Sequence, residues 1–222
     1  MSILRAAADE PAALATLSHH TGIPKPTAHR LAVAMEGHGL LIRDDTGRFC
    51  LGPLLVTLAG TADPLVDAAA PVLRQLRDRT GESCQLYRRH GEMRVCVAAA
   101  DRPSGLRDSV PAGAVLPMTA GSAAQILLAW EPVERVSDLV SAASFDERTL
   151  DLVRRQGWAA SVAEREPGVA SVSAPVRAAD GAVLAAISVS GPLERLGNSP
   201  GRTHSPDVVS AADELSALLA AG

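Results

Sequence analysis

The chain has 222 residues, 47% of them hydrophobic, which is enough for one large domain or two modest ones with a sizeable core. Its formal charge of -4 and its pI near 5.9 exclude a protein that coats nucleic acid with its whole surface, so a DNA contact would have to be a local patch. No apolar run long enough to span a membrane and no signal peptide is found, and three widely spaced cysteines favour the reducing cytoplasm.

The first 52 residues predict a winged helix-turn-helix. Short helical segments over 4–8 and 12–20 are followed by Gly22, a residue that commonly ends a helix in the left-handed conformation. A third helix is predicted to start in "IPKPT", where proline is tolerated in a first turn, and to bury Leu31, Ala34, Met35 and Leu40. Two β-prone runs then flank "DDTG" at 44–47, which indicates a hairpin, the wing.

The third helix has the features of a DNA recognition helix. Lys25, the only lysine in the chain, lies between Pro24 and Pro26 at the helix start, where free N–H groups and the helix dipole favour anions. An arginine one turn further along can bind a guanine edge. The predicted DNA-contacting residues are Lys25, Pro26, Thr27, His29 and Arg30 in the helix, with Arg43 and Arg48 in the wing.

Two alternatives remain for this segment. These charges also suit the solvated surface of an ordinary helical domain, and the acidic Asp44 and Asp45 weaken the wing as a phosphate clamp. Residues 1–60 carry five Lys or Arg and five Asp or Glu, so their formal charge is neutral. A winged-helix module that binds protein is therefore a competing hypothesis, and a weak salt dependence of DNA binding would favour it.

The rest of the chain predicts a linker helix followed by a mixed domain. The linker helix is expected over 53–62, and a long helix over 63–80 that Pro71 should kink or divide. Strand hairpins are predicted around "HGE" at 90–92 and around Asp180 and Gly181. Helices are predicted over 119–130, 146–156 and 205–220, which makes 63–222 an α+β domain with helices on its sheet.

These segments resemble the IclR family of bacterial transcriptional regulators. The similarity is carried by "LSHHTGIPKPTAHRLAVAMEGHGLLIRDDTGRFCLGPLLVTLA", "LPMTAGSAAQILLAW" and "GVASVSAPVRAADGAVLAAISVSGPLERL". It implies a winged helix-turn-helix DNA-binding domain at 1–52, a linker helix at 53–62 and a GAF-like effector-binding domain at 63–222. It also implies operator DNA, a small-molecule effector and a homodimer or tetramer as partners. Members carry further residues before the first helix, which implies either a start upstream of Met1 or a reduced dimer contact.

Within the family, the sequence of the chain is most similar to the NdgR-type actinomycete branch. That likeness implies a role in amino-acid metabolism, for example that of leucine, with an amino acid or a small carboxylate as effector. The small residues of "TAGSAA" at 119–124 would let a carboxylate approach the free N–H groups of a helix start. By resemblance, the effector pocket comprises Leu116, Ser122, Ala123, Val169, Ser171, Ser188 and Ser190. The alternative is that these are small core residues of an alanine-rich protein.

Other reactive groups give weaker signals. Arg88, Arg89 and Arg94 surround the first hairpin and either hold an acidic ligand or form a solvated hairpin end. A cysteine hydrolase using Cys84 or Cys96 with His90 is the enzymatic alternative, but both cysteines lie within apolar strand runs, where free cysteine is usually a small buried hydrophobe. The histidines show no metal-ligand spacing. We therefore expect no enzyme, no metal and no cofactor.

Overall fold

A computed structural model describes residues 2–8, 10–59 and 63–221. The chain forms two compact units, residues 1–61 and 62–222. The predicted linker helix is present as α4 (Pro53–Ala59), and the last part of that prediction, 60–62, lies outside the described residues.

The first unit is a winged helix-turn-helix, as predicted. Its helices are α1 (Ser2–Ala6), α2 (Leu14–Thr21) and α3 (Lys25–Gly37), and its wing is the antiparallel pair β1 (Leu41–Arg43) and β2 (Phe49–Leu51). The turn between α2 and α3 is tight because Gly22 adopts a φ of 68°. The Ser18 hydroxyl donates a hydrogen bond to the Ile23 carbonyl at 2.7 Å, which fixes the start of α3 relative to α2.

The buried face of α3 differs from the predicted one. Ala28 and Ala32 are fully buried, whereas Leu31 is 41% exposed and Ala34 lies at the surface. The two buried alanines lie one turn apart, and their small side chains let α3 pack closely on the rest of the unit. Met35 is partly buried and packs against the core of the unit, so the predicted face is right for that residue and wrong for Leu31 and Ala34.

The second unit is built on one six-stranded antiparallel sheet in the order β5-β4-β3-β8-β7-β6. Its strands are β3 (Ser83–His90), β4 (Met93–Ala100), β5 (Val115–Pro117), β6 (Ala159–Val162), β7 (Val169–Arg177) and β8 (Val183–Pro192). Its helices are α5 (Pro64–Thr80), α6 (Ser122–Ala129), α7 (Val133–Ser141), α8 (Glu147–Gln156), α9 (Leu193–Leu196) and α10 (Pro200–Ala221).

Helices cover both faces of this sheet. On one face α5 and α10 pack on residues such as Leu86, Val172 and Ile187, which are fully buried. On the other face α6 and α8 cover Tyr87, Cys96 and their neighbours. All eight residues of α6 are buried, so this helix lies directly against the sheet. The alternation of side chains along β7 and β8 thus separates an apolar face under α10 from a serine-bearing face under α6.

Several elements depart from the prediction. Pro71 does not divide α5, which is continuous from Pro64 to Thr80. The terminal helix begins at Pro200 rather than at Ser205, so Pro206 lies inside it. Strands β5 and β6 and helix α7 were not predicted, since β5 and β6 have only three and four residues and α7 directly follows α6.

Candidate functional site

The start of α3 presents unpaired cations at the surface. Lys25, Pro26, His29 and Arg30 are exposed, and among the described residues no carboxylate lies within 4.0 Å of the Lys25 or Arg30 side chain. No acidic residue occupies the first turn of α3. Thr27 is only partly exposed. The positive end of the helix dipole and two mobile side-chain charges therefore act in the same direction on an approaching phosphate.

The two wing arginines are instead held by carboxylates of the same unit. The Arg43 Nε donates to both Glu36 carboxylate oxygens, at 3.1 and 3.2 Å, and its guanidinium lies 4.2 Å from the centroid of the Phe49 ring. The Arg48 Nε donates to Asp44 Oδ2 at 2.7 Å. Their positive charges are thus offset locally, and they are weaker candidates for DNA contacts than Lys25 and Arg30.

In the second unit, polar side chains from four neighbouring strands meet under α6. In the strand register Ser161 faces Ser171, Ser171 faces Ser190, and Ser173 and Gln85 each face Ser188. These residues alternate with apolar ones that enter the opposite core. The register thus collects five serines and one glutamine on a single face, next to the first turn of α6.

The serine hydroxyls form a continuous hydrogen-bonded chain. Ser161, Ser171, Ser122, Ser173 and Ser188 are joined in that order by Oγ–Oγ distances of 2.9, 2.7, 2.7 and 2.6 Å. Five hydroxyls supply five protons and the four bonds among them use four, so one O–H remains to donate elsewhere. The chain can therefore respond to a new acceptor by reversing the direction of its bonds.

A small cavity lies against this chain. It encloses about 20 Å³, room for about one water molecule. Its lining consists of Gln85, Tyr87, Arg94, Asp108, Gly121, Ser122, Ala123, Ser161, Arg165, Val169, Ser171, Ser188 and Ser190.

Arg94 and Gln85 bring unsatisfied donors to the cavity. Arg94 is only 3% exposed, and its Nε–H has no acceptor among the described residues. Its guanidinium donates to the Pro117 carbonyl and lies 5.5 Å from the Tyr87 ring centroid, but no carboxylate in the described ranges is bonded to it. Burial lowers the pKa of Arg94 to about 10. The Gln85 side chain accepts from Ser190 at 3.0 Å, while its Nε2 is buried and has no acceptor in the described part of the chain.

Two carboxylates near the cavity are committed to other donors. Asp108 accepts two hydrogen bonds from Arg165 Nη2, at 2.7 and 2.6 Å. Burial works against the charge of Arg165, but the hydrogen bonds and the charge of Asp108 outweigh it and raise the pKa of Arg165. Glu164 accepts from the Gly121 N–H at 2.9 Å and from Gln125 Nε2 at 3.0 Å. Among the described residues no carboxylate forms an ion pair with Arg94, and Glu164 acts on its charge only through space.

Comparison with known proteins places these two units in one family. The model described as the IclR helix-turn-helix domain matches residues 1–45, and the model described as the bacterial transcriptional regulator IclR C-terminal matches residues 59–217. The chain belongs to the IclR family. It is accordingly a DNA-binding transcriptional regulator with a C-terminal effector domain, and not an enzyme.

Relatives and solved structures agree with this assignment. A glycerol operon regulatory protein of Streptomyces griseus is 28% identical, over 93% of this chain and 86% of its own. The crystal structure of Pseudomonas aeruginosa HmgR is 27% identical with a TM-score of 0.63, covering 100% of this chain and 96% of that one. An IclR homolog from Microbacterium hydrocarbonoxydans complexed with 4-hydroxybenzoate has a TM-score of 0.68 at 22% identity, covering 96% and 92%.

Six of the seven residues predicted for the effector pocket of this IclR-family chain line the cavity. The exception is Leu116, which lies on β5 opposite Arg94 and packs into the apolar core beneath α6. The sequence did not indicate Gln85, Tyr87, Asp108, Ser161 or Arg165, and it left Arg94 undecided. Gly121 was expected there only as one of the small residues at 119–124. The period-two alternation of β3 could have placed Gln85 and Tyr87 on one face, whereas Asp108 and Arg165 lie in loops that have no such period.

The remaining candidate residues of this regulator have structural partners. Arg88 pairs with Asp63, and Arg89 lies 3.6 Å from Glu131, so only Arg94 of the three arginines faces the cavity. Burial raises the pKa of Cys84 and of Cys96 to about 12, which leaves both thiols protonated at neutral pH.

The described ranges contain neither a candidate metal site nor a membrane-spanning helix. No group of three His, Cys, Asp or Glu residues there is placed to hold a metal ion. Nor does any helix in these ranges combine the length and apolar character needed to cross a bilayer.

Proposed function

We propose that this regulator binds operator DNA through α3, as a homodimer or a dimer of dimers, and that a small acidic effector in the serine-lined cavity changes its operator affinity. The observation that carries the effector part is Arg94, a buried cation whose Nε–H has no acceptor among the described residues. An unpaired buried charge is costly, and an anion that binds it removes that cost. A carboxylate is the smallest common metabolite group that matches a guanidinium.

Gln85 and the serine chain support a second polar contact. Gln85 Nε2 needs an acceptor, and one serine O–H is free to donate. Polar groups left unpaired in a site select strongly for ligands that satisfy them. The proposed effector is therefore an acid with a further oxygen, such as a 2-oxo acid, an amino acid or a hydroxy acid.

The regulated genes are a separate part of the proposal. The resemblance to the NdgR-type branch supports amino-acid metabolism, with leucine and its 2-oxo acid as candidates. Similar relatives include glycerol operon regulatory proteins, so glycerol belongs among the test compounds. A neutral polyol would leave Arg94 unpaired, which is why an acid is the favoured class.

The test is a fluorescence-anisotropy titration on DNA flanking the gene for this chain, with scrambled DNA as the control. Each titration is repeated at two salt concentrations with leucine, 4-methyl-2-oxopentanoate, 4-hydroxybenzoate, 4-hydroxybenzamide and glycerol. We expect sequence-selective, salt-sensitive binding whose affinity changes with at least one acid and not with the neutral amide. Weak binding that is insensitive to salt would favour a protein partner for the winged helix, and a response to the neutral compounds alone would contradict the acidic effector.

A further inference from the structure

The loop 163–168, which joins β6 to β7, separates the cavity from a larger open groove. The groove holds about 850 Å³ and is lined on one side by Glu166, Pro167 and Gly168 of this loop. Asp108 and Val169 line both the groove and the inner cavity. The inner cavity, at about 20 Å³, is too small for an acid of several heavy atoms. A ligand that reaches Arg94 must therefore displace part of this wall.

Glu164, a residue of this loop next to the cavity, carries the group that most resembles the ligand. Its carboxylate accepts a hydrogen bond from the Gly121 N–H at 2.9 Å, and Gly121 lies directly before α6. It also accepts one from the side chain of Gln125, the fourth residue of that helix. A helix N-terminus is a general anion site. Gly121 itself lines the cavity, and a side chain built on it would lie 3.2 Å from Arg94 Nη2. The protein thus places one of its own carboxylates where the start of α6 and Arg94 would attract an acid.

The surroundings of Glu164 do not favour its charge. Burial raises its pKa, and the hydrogen bonds from Gly121 and Gln125 and the charge of Arg94 do not compensate. Tyr87, the Asp108–Arg165 pair and Glu166 are the other ionisable groups around this part of the cavity and its loop. An ionised Glu164 therefore regains hydration free energy if it moves from the wall into solvent.

The loop also contains a strained backbone conformation, which movement of the loop away from the cavity would relax. Ala163, which precedes Glu164, has a φ of 55°, and among the described residues it is the only non-glycine residue with a positive φ. Such a conformation is unfavourable for a residue with a Cβ and persists only when the surroundings hold it. The contacts of Glu164 with Gly121 and of Arg165 with Asp108 hold this loop from the side of the cavity. Backbone hydrogen bonds from the Ala163 N–H to the Val169 carbonyl and from the Leu193 N–H to the Gly168 carbonyl hold its two ends.

We propose that Glu164 is an internal competitor of the acidic effector: the effector's carboxylate takes the place of the Glu164 carboxylate beside Gly121 and Arg94, and the loop 163–168 moves toward the groove. This inference rests on the proposed function, because it specifies how an acid enters that cavity. It makes Glu164 a determinant of effector affinity and specificity, since only a ligand with its own carboxylate can take the position that the Glu164 carboxylate leaves beside Gly121 and Arg94.

The test compares Glu164→Ala and Glu164→Gln with wild type in calorimetric titrations of the full chain with 4-hydroxybenzoate, 4-methyl-2-oxopentanoate and 4-hydroxybenzamide. We expect the two Glu164 variants to bind the acid probes at least about tenfold more tightly, which corresponds to about 1.4 kcal/mol. Binding of the neutral amide should not change. Glu166→Gln is the matched control, because it removes the same charge from the same loop at an exposed residue that does not contact Gly121.

A second measurement separates competition from support of the fold. Amide hydrogen exchange of 163–168 should be faster in wild type with a saturating acid probe, and already fast in Glu164→Ala without one. Weaker acid binding in both Glu164 variants would show that Glu164 supports the site, and would overturn this inference. Acid binding that requires Arg94 but is unchanged by Glu164→Ala would overturn it while leaving the proposed function intact, and no acid binding to any variant would overturn both.

Discussion

The two units of this regulator carry cations in opposite environments, and within the described ranges Lys25, Arg30 and Arg94 form no ion pair. Lys25 and Arg30 at the start of α3 are exposed, so water solvates them at little cost, and on the proposed function we expect their contribution to DNA binding to come from counterion release. Arg94 is buried with an unsatisfied Nε–H, so we expect a bound anion to offset the cost of burying its charge. On the proposed function, positive charge thus gives salt-dependent binding in one unit and ligand selectivity in the other.

The largest expected effect lies in the exposed pair. We expect Lys25→Ala/Arg30→Ala to weaken operator binding on the order of 100-fold or more and to lower the slope of log K against log salt by about 2 per half-site. Fluorescence anisotropy over a salt series measures both quantities. The matched control is Arg155→Ala/Arg202→Ala, which removes two exposed arginines from the other unit. Equal losses in the two double variants would mean that only net charge matters and that α3 has no special role.

The buried arginine comes next. Arg94→Gln should weaken binding of an acid probe by about 10- to 100-fold, because a hydrogen bond to a charged group contributes about 1.5–3 kcal/mol. Urea unfolding should show no loss of stability, since the substitution removes a desolvated charge. Calorimetry on Arg94→Gln and on Arg89→Gln, whose guanidinium lies beside Glu131 and away from the cavity, makes the comparison. Unchanged acid affinity in Arg94→Gln would remove the central argument for an acidic effector.

A substitution in the serine chain tests the hydrogen bonding next to the cavity without changing the charge of the site. Ser173 is fully buried and its hydroxyl is bonded to both Ser122 and Ser188. Ser173→Ala should lower the free energy of unfolding by about 1–3 kcal/mol, because two buried hydroxyls each lose a partner. Urea unfolding measures this, with Ser137→Ala at an exposed position as the control. A stability equal to that of the control would show that the chain rearranges around the gap.

The smallest expected effect concerns the wing and depends on pH. Burial alone would raise the pKa of Asp44, but hydrogen bonds from Thr46 and Arg48 outweigh it and lower the pKa to about 2. An unfolded aspartate titrates near pH 3.9, so the stabilisation is complete above that pH and is lost as pH falls toward 2. The stability difference between wild type and Asp44→Asn should therefore shrink from pH 6 to pH 2.5. The same comparison with Asp45→Asn, at the exposed neighbour, is the matched control.

Regular alternation explains what could be predicted from the sequence. Ser188 and Ser190 share a face because they lie two residues apart in a long strand of a strong hairpin, and the cavity follows from that face. Ser161 was missed because β6 has only four residues and is preceded by a helix and a short loop. The sequence also could not decide among Arg88, Arg89 and Arg94, since the partners that neutralise the first two, Asp63 and Glu131, are distant in the chain.

Helix α3 gives the complementary lesson. Its location and its start could be predicted because proline and glycine restrict the backbone locally, whatever lies around them. Its buried face could be predicted only in part, because Met35 packs against the core as expected but the fully buried residues are Ala28 and Ala32. In an alanine-rich chain, a small side chain can lie where two elements pack closely as well as at the surface. The size of an apolar side chain therefore does not indicate whether it faces the core.

A single exposed lysine at the start of α3 also makes the chain easy to footprint chemically. An amine-reactive ester can modify only the Lys25 Nζ and the terminal α-amino group within these 222 residues. The rate of acylation at one peptide, read by mass spectrometry, therefore reports the occupancy of the recognition helix directly, with no engineered label. The same mass shift followed as effector is added to the DNA complex would record how the second unit acts on the first.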